Sequence, residues 1–435
     1  MKKISIVSIV VLCIILFGGC ASEPNQEVNI IPQPQQVTVV DGGFYLSPKT
    51  VINVVKGADD LQPACTFMST LVEKSFGKAL TVENGEAGKN AINIVVDPSM
   101  ETDVYDLTVE KNAVNIKGGS SKAVFYAMQS LRQMMPVGVE KGEKMDRIRI
   151  QNVQIQDEPR LGYRGTMLDV CRHFFTVDEV KTFIDMLALH KLSVFHWHLT
   201  ENQSWRLESK IFPMLNDSAN TTRMPGKYYT QAEAKELVAF CKAHGMLLIP
   251  EIDMPGHSVA FMRTFRHDMQ SPEGMKILKL LVEEVCETFD VPYLHIGTDE
   301  VKITNPQFVP EMVAFIRALG KKAISWNPGW HYQTGEIDMT HLWSSRGKAQ
   351  KGIPAIDSRL HYLNHFDTFG DIIGLYNSHI CDVEQGNDDI AGAILAVWND
   401  RCVNKEENII RENGFYPNML AIAERAWLGG GTEYF

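Results

Sequence analysis

The region from about residue 160 to residue 435 repeats one pattern, and this repeat constrains the fold more than any other feature. Short apolar runs rich in β-branched residues alternate with longer amphipathic stretches. Such alternation is typical of βα units that form a parallel sheet. Eight runs lie at residues 163–170, 193–199, 246–253, 292–300, 322–327, 340–345, 355–364 and 393–400. Eight units predict an α/β fold, a (β/α)8 TIM barrel, which normally needs about 250 residues.

The residues before this repeat follow another pattern. Short β-like runs such as AINIVV (91–96) are interleaved with two helical stretches, around 61–76 and 123–135. This mixture predicts a small α+β domain. We therefore expect two domains, the small one over 29–157 and the barrel over 158–435.

The first residues predict where in the cell the protein is located. Two lysines precede an apolar run over 4–17, which ends in Gly-Gly-Cys20. This run is shorter than the ~20 residues that a spanning helix requires, so we interpret 1–19 as a lipoprotein signal peptide. Cys20 would carry the lipid and 20–28 would be a polar tether. The expected location is the bacterial cell envelope, with the protein anchored to a membrane and facing either the periplasm or the outside; an uncleaved anchor is the alternative.

Composition excludes some partners and disfavours others. The chain has 42 basic and 53 acidic residues, a net charge of −11, so nucleic acid is a poor partner. Eight cysteines are widely spaced and contain no CxxC pair. We expect free thiols and neither a zinc site nor a disulfide framework, although a single bridge stays possible in an oxidising compartment. No metal and no cofactor are expected.

Polar and aromatic residues cluster where the predicted strands end. In a TIM barrel the active site lies at the carboxyl ends of the strands. The residues at these ends include three of the seven tryptophans and several acids: His198, Asp253, Asp299, Glu300, Trp326, Trp343, Tyr362, Trp398 and Asp400. We therefore expect a functional site at this end of the barrel.

Asp299 and Glu300 are the strongest candidates for catalysis. Neighbours within a strand point to opposite faces, so these two acids can share a pocket only if the backbone leaves the strand there. Two acids that are close together and partly buried raise the pKa of one of them, which then serves as an acid. The competing interpretation is a pair of exposed loop carboxylates, which is common. Their position after an apolar strand favours catalysis.

The aromatic residues suggest a sugar pocket. Trp326, Trp343 and Trp398 come from three strands and together could enclose a pyranose ring, although each one alone is more commonly a packing residue. Arg164, Tyr362 and Asp400 add hydrogen-bonding groups to the same expected pocket.

Two alternatives stay open at this point. His196 and His198 share one face of a strand and, with His257 and an acid, could bind a metal, as in a TIM-barrel amidohydrolase. Their place on the second strand, where those barrels use the first, disfavours this alternative. The second alternative is a glycan-binding lipoprotein without catalytic activity.

Several long motifs resemble one known family. They are RGTMLDVCRHFF (164–175), VFHWHLTENQSWRLE (194–208), the stretch 228–257, HIGTDEV (295–301) and NMLAIAERAW (418–427), and NIIPQPQQVTV (29–39) is similar to the opening of the family's small domain. In this order they resemble the family 20 glycoside hydrolases, the β-N-acetylhexosaminidases.

The resemblance implies a retaining exo-glycosidase that removes a terminal β-linked GlcNAc or GalNAc from a glycan. The sugar's own 2-acetamido oxygen would attack the anomeric carbon and form an oxazoline. Glu300 would protonate the leaving oxygen, Asp299 would orient the acetamide and stabilise the intermediate, and Tyr362 would bind the acetamide carbonyl. The resemblance also implies that Arg164 holds ring hydroxyls and that the three tryptophans surround the acetamide and the sugar face. His198, Glu201, Asp253 and His257 would form a supporting shell.

Three positions depart from the family's usual pattern. Thr298 stands where glycine is common, Asp400 replaces a glutamate, and Asn364 replaces an aspartate near the outer sugar hydroxyls. We hypothesise that the missing charge at Asn364 lets the pocket accept a 6-sulfated GlcNAc, because a carboxylate would repel a sulfate in a partly dry pocket. Neutral drift at a tolerant position is the alternative.

Overall fold

The computed structural model describes residues 24–363, 372–383, 386–400 and 414–431. The predicted signal peptide, Cys20 and Asn364 lie outside these residues. Within them, no helix has both the length and the apolar character that crossing a bilayer requires. The cysteines at 65, 171, 241 and 286 carry free thiols.

The small domain is one twisted sheet covered by helices. Its strands are β1 (Gln36–Leu46), β2 (Val51–Lys56), β3 (Thr81–Asn84), β4 (Ala91–Val96), β5 (Tyr105–Glu110), β6 (Ala113–Gly118) and β7 (Ile148–Asp157), in the order β1-β7-β5-β6-β4-β2-β3. Its helices are α1 (Gln62–Leu71), α2 (Glu73–Phe76) and α3 (Ser121–Gln133). The Ser120 side chain caps α3 by accepting a hydrogen bond from the Ala123 amide.

The second domain is a closed parallel barrel. Its strands are β8 (Tyr163–Asp169), β9 (Val194–His198), β10 (Leu247–Glu251), β11 (Tyr293–His295), β12 (Lys322–Asn327), β13 (Met339–Leu342), β14 (Ala355–Asp357) and β16 (Ile390–Val397). Pairing of β14 with β16 and of β16 with β8 closes the ring. The predicted barrel fold is therefore confirmed, and the expected run 355–364 is two pieces, because β15 (Tyr362–Leu363) pairs separately with β16.

Helices follow some of the barrel strands, and loops follow others. The helices are α4 (Val177–Leu189), α5 (Gln231–Ala243), α6 (Val259–Phe265), α7 (Pro272–Thr288), α8 (Phe308–Ala318), α9 (Ile372–Asn377) and α10 (Phe415–Leu428). Capping boxes begin α4, with Thr176 and Glu179, and α5, with Thr230 and Glu233. By contrast, loops 328–338 and 343–354, both fully described, join β12 to β13 and β13 to β14 without a helix.

The two domains meet at the amino ends of the barrel strands through buried polar contacts. Lys191 donates to Asp157 (2.9 Å) and to the Tyr105 hydroxyl (2.8 Å), and Trp427 Nε1 donates to the other Asp157 oxygen (2.8 Å). A buried ion pair is tolerated only when such extra hydrogen bonds satisfy both partners. These contacts tie the small domain to the barrel and leave the opposite end of the barrel open.

Candidate active site

The backbone leaves β11 just before the two adjacent acids. The strand ends at His295, and the next residues include three with positive φ: Gly297 (65°), Thr298 (83°) and Glu300 (46°). This turn separates the environments of the acids, since Asp299 is only 6% exposed, whereas the Glu300 side chain is 56% exposed. One acid therefore faces the interior of the site and the other faces its opening.

Asp299 is buried next to a second buried acid, Asp253. Burial is the main cause that raises the pKa of Asp299 to about 7, with smaller contributions from the charges of Glu251 and Glu300 and an opposing effect of His257. Burial, followed by the charge of Asp299, also raises the pKa of Asp253 well above its ordinary value. Among the described residues, the Asp299 Oδ1 atom has no hydrogen-bond partner. It is therefore available to accept a hydrogen bond from a ligand.

Glu300 is connected to a chain of charged groups. His257 Nε2 lies 3.4 Å from Glu300 Oε2, and His257 Nδ1 contacts Glu201 Oε1. Burial by itself would lower the pKa of His257, but the hydrogen bond to Glu201 and the charge of Asp253 outweigh it and raise this pKa to about 10. His257 is consequently a cation at neutral pH and lies between the two glutamates.

Arg172 is the arginine of this site, and sequence reasoning missed it. It follows the carboxyl end of β8, and its guanidinium donates to Asp169 (3.2 Å) and Glu201 (2.7 Å). The same group lies over the Trp398 ring, 5.2 Å from its centre, and 3.7 Å from an Asp400 oxygen. Arg172 therefore links the acids to the aromatic part of the pocket.

The prediction for Arg164 is wrong and is corrected here. Arg164 is the second residue of β8, so it lies at the amino end of the barrel, away from Asp299 and Glu300. Its guanidinium donates to the Leu161 carbonyl (2.6 Å), the Lys191 carbonyl (3.0 Å) and the Tyr126 hydroxyl (2.8 Å). Position along the strand is the signal that separates the two arginines, because residues after the carboxyl end reach the active-site face.

Aromatic side chains enclose the space beside the acids. The Tyr362 ring centre lies 5.9 Å from that of Trp343 and 5.6 Å from that of Trp398, and these three rings form a wall. Trp326, which is 1% exposed, lies below Trp398 as a floor, with ring centres 5.9 Å apart. Burial and the charge of Asp299 raise the pKa of Tyr362 well above its ordinary value, so its hydroxyl stays protonated and can donate.

A buried carboxylate, Glu251, supports this floor and was not predicted. It accepts hydrogen bonds from Trp326 Nε1 (2.7 Å) and His198 Nδ1 (2.7 Å), and His196 Nε2 lies 2.8 Å from it. Burial would raise the pKa of Glu251, but the surrounding histidines hold it well below its ordinary range. The two histidines of the HxH motif thus converge on Glu251, whereas His257 contacts Glu201, so the structure does not assemble the metal site of the amidohydrolase alternative.

Most of the residues predicted for the site lie together at the carboxyl ends of the strands. The set comprises His198, Glu201, Asp253, His257, Asp299, Glu300, Trp326, Trp343, Tyr362, Trp398 and Asp400. The Asp400 side chain is partly exposed, and its carbonyl accepts a hydrogen bond from Arg223 (2.7 Å). A barrel with paired acids and an aromatic enclosure at this end is an arrangement typical of glycoside hydrolases.

Comparison with known proteins specifies the family. The sequence matches the model of glycosyl hydrolase family 20, catalytic domain, over residues 161–341, and that of glycosyl hydrolase family 20, domain 2, over residues 27–158. The chain therefore belongs to glycosyl hydrolase family 20.

Individual relatives agree with this assignment. The β-hexosaminidase of Porphyromonas gingivalis is 34% identical over 329 residues, which cover 67% of this chain and 42% of that protein. The β-hexosaminidase of Vibrio furnissii is 29% identical over 312 residues, covering 63% of this chain and 49% of that protein. The chain thus spans less than half the length of these two curated relatives. The crystal structure of a β-N-acetylhexosaminidase from Bacteroides fragilis shares the fold, with a TM-score of 0.77 at 24% identity over 93% of this chain and 92% of that chain.

Proposed function

We propose that this protein is an exo-β-N-acetylhexosaminidase that removes a terminal β-linked N-acetylhexosamine from glycans. One observation carries the proposal. The buried Asp299 has a carboxylate oxygen without a partner in the described part of the chain, close to the aromatic wall, while the neighbouring Glu300 faces the opening. The first acid can hold a polar group of the sugar inside the enclosure, and the second can exchange protons with a group outside it. The names of the curated relatives support the same activity.

The proposed mechanism uses the acetamide of the substrate as the nucleophile. Its carbonyl oxygen bonds to the anomeric carbon as the bond from that carbon to the leaving oxygen breaks, and Glu300 gives the leaving oxygen a proton. Asp299 accepts a hydrogen bond from the acetamide N–H, and its charge stabilises the cationic oxazoline. The Tyr362 hydroxyl donates to the acetamide oxygen. Water then attacks the anomeric carbon as its bond to the acetamide oxygen breaks, and Glu300 takes a proton from that water. The acetamide is restored, and the sugar is released with its original configuration.

His257 and Arg172 assist in different ways. His257 bridges Glu300 and Glu201, so it can stabilise the Glu300 carboxylate that forms after proton donation. Arg172, held by Asp169 and Glu201 beside Trp398 and Asp400, presents a cation where ring hydroxyls bind. Arg172 and Asp400 can bind the hydroxyls of either gluco or galacto sugars. Assays on aryl glycosides of both sugars distinguish the two preferences.

A pair of substrates tests the central step. The protein should release nitrophenol from the 4-nitrophenyl β-glycoside of N-acetylglucosamine but release it at least about a thousandfold more slowly from the β-glucoside, which lacks the acetamide. The N-trifluoroacetyl analogue, whose oxygen is a weaker nucleophile, should react at an intermediate rate. Equal rates on all three compounds would refute the acetamide mechanism. Unchanged rates after incubation with a chelator would also count against a metal hydrolase.

We further propose that the pocket accepts a 6-sulfate on GlcNAc. The proposal rests on the neutral Asn364, outside the described residues, and on the cations Arg172 and Arg223 at the same end of the barrel. Asn364→Asp should lower kcat/KM on a 6-sulfated aryl glycoside about tenfold or more while leaving the plain glycoside nearly unaffected. An unchanged ratio between the two substrates would show neutral drift at this position.

The envelope location is likewise a proposal, and it rests on the sequence of residues 1–28 alone. Metabolic labelling with a fatty acid should mark the wild-type protein in its membrane fraction, whereas Cys20→Ser should remove the label. A labelled Cys20→Ser protein would contradict the predicted lipidation site.

A further inference from the structure

Thr298 has a backbone conformation that its side chain does not favour. Its φ of 83° lies in the left-handed region, where glycine is at ease and a β-branched residue is a genuine outlier. Thr298 directly precedes Asp299, so this conformation sets the direction in which both acids leave the turn. A costly conformation next to two functional residues persists only if surrounding contacts hold it.

The Thr298 hydroxyl makes such a contact with the neighbouring strand. Its Oγ1 lies 2.5 Å from the Ser325 Oγ on β12, and both side chains are buried. The Ser325 hydroxyl in turn donates to the Gly297 carbonyl (3.0 Å), and the Trp326 amide donates to the same carbonyl (2.9 Å). Side-chain and backbone bonds thus join the turn of the acids to β12.

The loop that follows β12 also lies against Thr298. A Cβ atom on Gly329 would lie 3.2 Å from the Thr298 Oγ1 and 2.5 Å from the Trp326 carbonyl, so this loop position has no room for a side chain. In the same loop, the Pro328 carbonyl accepts a hydrogen bond from Trp343 Nε1 (2.7 Å). One loop therefore contacts Thr298 and also holds a ring of the aromatic wall.

We propose that Thr298 is a positioning residue. Through Ser325 and the loop that carries Gly329 and Pro328, it fixes the turn with Asp299 and Glu300 relative to the aromatic wall. Asp299 and Glu300 are thereby held at a set position from Trp343 before any ligand binds. Preorganisation of this kind matters because a displacement of about 1 Å can cost a hundredfold in rate. The kinetic consequence rests on the proposed glycosidase activity, whereas the fixing of the turn does not.

Three variants separate the hydroxyl bond from general packing. Ser325→Ala removes the partner without changing any residue of the turn itself. Thr298→Val keeps the shape of the side chain without its hydroxyl, and Thr298→Ser keeps the hydroxyl as the matched control. We expect kcat on the aryl N-acetylglucosaminide to fall tenfold or more in the first two, with KM changed less than threefold, and to stay within threefold of wild type in Thr298→Ser. If Thr298→Val does not fold, Ser325→Ala carries the test.

The pH profile gives a readout that a loss of folded protein would not move. The titratable groups that interact with Asp299 are Asp253, Glu251, His257, Glu300 and Tyr362. A loosened turn admits water to Asp299, so the midpoint of the acid limb of kcat/KM should move to lower pH in Ser325→Ala and stay unchanged in Thr298→Ser. A fall in kcat with an unmoved midpoint would overturn the positioning role.

Hydrogen exchange tests the fixed turn without any activity. Amides of residues 296–302 should exchange at least tenfold faster in Ser325→Ala than in wild type, while those of β8 and β9 should not change. An inactive wild type with this response would reject the proposed function and keep the fixed turn. An active wild type whose Ser325→Ala variant shows unchanged kinetics, or unchanged exchange in 296–302, would reject the positioning role of Thr298.

Discussion

Two groups of buried polar residues lie at opposite ends of the same barrel, and they differ in how well their partners satisfy them. The junction cluster comprises Tyr105, Asp157, Arg164, Lys191 and Trp427, and the rim cluster comprises Arg172, Glu201, Asp253, His257 and Asp299. In the junction cluster the Asp157 carboxylate accepts from a lysine, a tyrosine, a tryptophan and two backbone amides.

The rim cluster has more acids than cations, and not all of its polar atoms have a hydrogen-bond partner among the described residues. Asp299 and Asp253 both have raised pKa values because they are buried, and Asp299 Oδ1 has no partner among the described residues. Buried polar groups without partners are costly, so a structure retains them mainly where a ligand supplies the missing bond. Complete hydrogen bonding of these buried groups therefore marks the end of the barrel that holds the domains together. Incomplete hydrogen bonding marks the end that acts on a ligand.

The largest effect is expected from the exposed acid of the rim. Glu300→Gln keeps the shape of the side chain but removes the proton donor, so kcat should fall by about 10²–10⁴-fold. The free energy of unfolding should change little, because the Glu300 side chain is largely exposed. Steady-state kinetics and denaturant unfolding on the same preparation measure both quantities. Comparable losses of activity and of stability would contradict the division between the two ends.

At the junction cluster we expect a large loss of stability and little loss of activity. Lys191→Met leaves Asp157 buried without its cation, which should lower the free energy of unfolding by about 3–5 kcal/mol. The kcat/KM of the folded fraction should stay near that of wild type. As a matched control, Lys279→Met breaks the exposed pair of Lys279 with Glu311 (3.2 Å) and should cost at most about 1 kcal/mol.

Arg164, near the amino end of β8, and Arg172, after its carboxyl end, give a further test of the difference between the two ends of the barrel. Arg172→Lys loses the planar contact with Trp398 and one of the two carboxylate bonds, so KM should rise about 10–100-fold, the worth of one charge-assisted bond. Arg164→Lys should instead lower the melting temperature and leave KM unchanged. Measuring KM and melting temperature for both variants tests the position of Arg164 outside the site, and a raised KM in Arg164→Lys would restore the original prediction.

The fold was largely predictable from sequence because each barrel strand is an apolar run bounded by polar residues. The closed ring of eight strands follows from these runs, and the capping boxes of α4 and α5 are visible as Thr-x-x-Glu patterns. The pattern did not show which strands are followed by loops, and 328–338 and 343–354 are loops. Nothing in the strand pattern specifies the connection that follows a strand.

The site was predictable where a residue's role depends on its place after a strand. Asp299, Glu300 and Trp398 belong to this kind, and the same rule, applied strictly, would have selected Arg172 over Arg164. Glu251 and Ser325 could not be found in this way, because they lie within strands and act on side chains of other strands. Contacts between distant strands depend on barrel closure, which a local pattern does not contain.

The smallest expected effect is the pH dependence of stability that Asp299 imposes on the rim. An aspartate has an ordinary pKa of about 3.9 when unfolded, and burial raises that of Asp299 to about 7 in the folded protein. The folded state then holds the proton more tightly, so the contribution of Asp299 to stability is highest at low pH and declines as pH rises through the window from about 4 to 7.

Asp299→Asn removes this titration, so the decline should become shallower by up to about 1.4 kcal/mol per pH unit. Denaturant unfolding at several pH values measures the slope, and Asp217→Asn, at an exposed turn, should leave it unchanged. An identical slope in Asp299→Asn would mean that Asp299 is as well solvated in the folded protein as in the unfolded chain. The rim would then be no drier than an ordinary surface, and the contrast with the junction cluster would rest on hydrogen bonding alone.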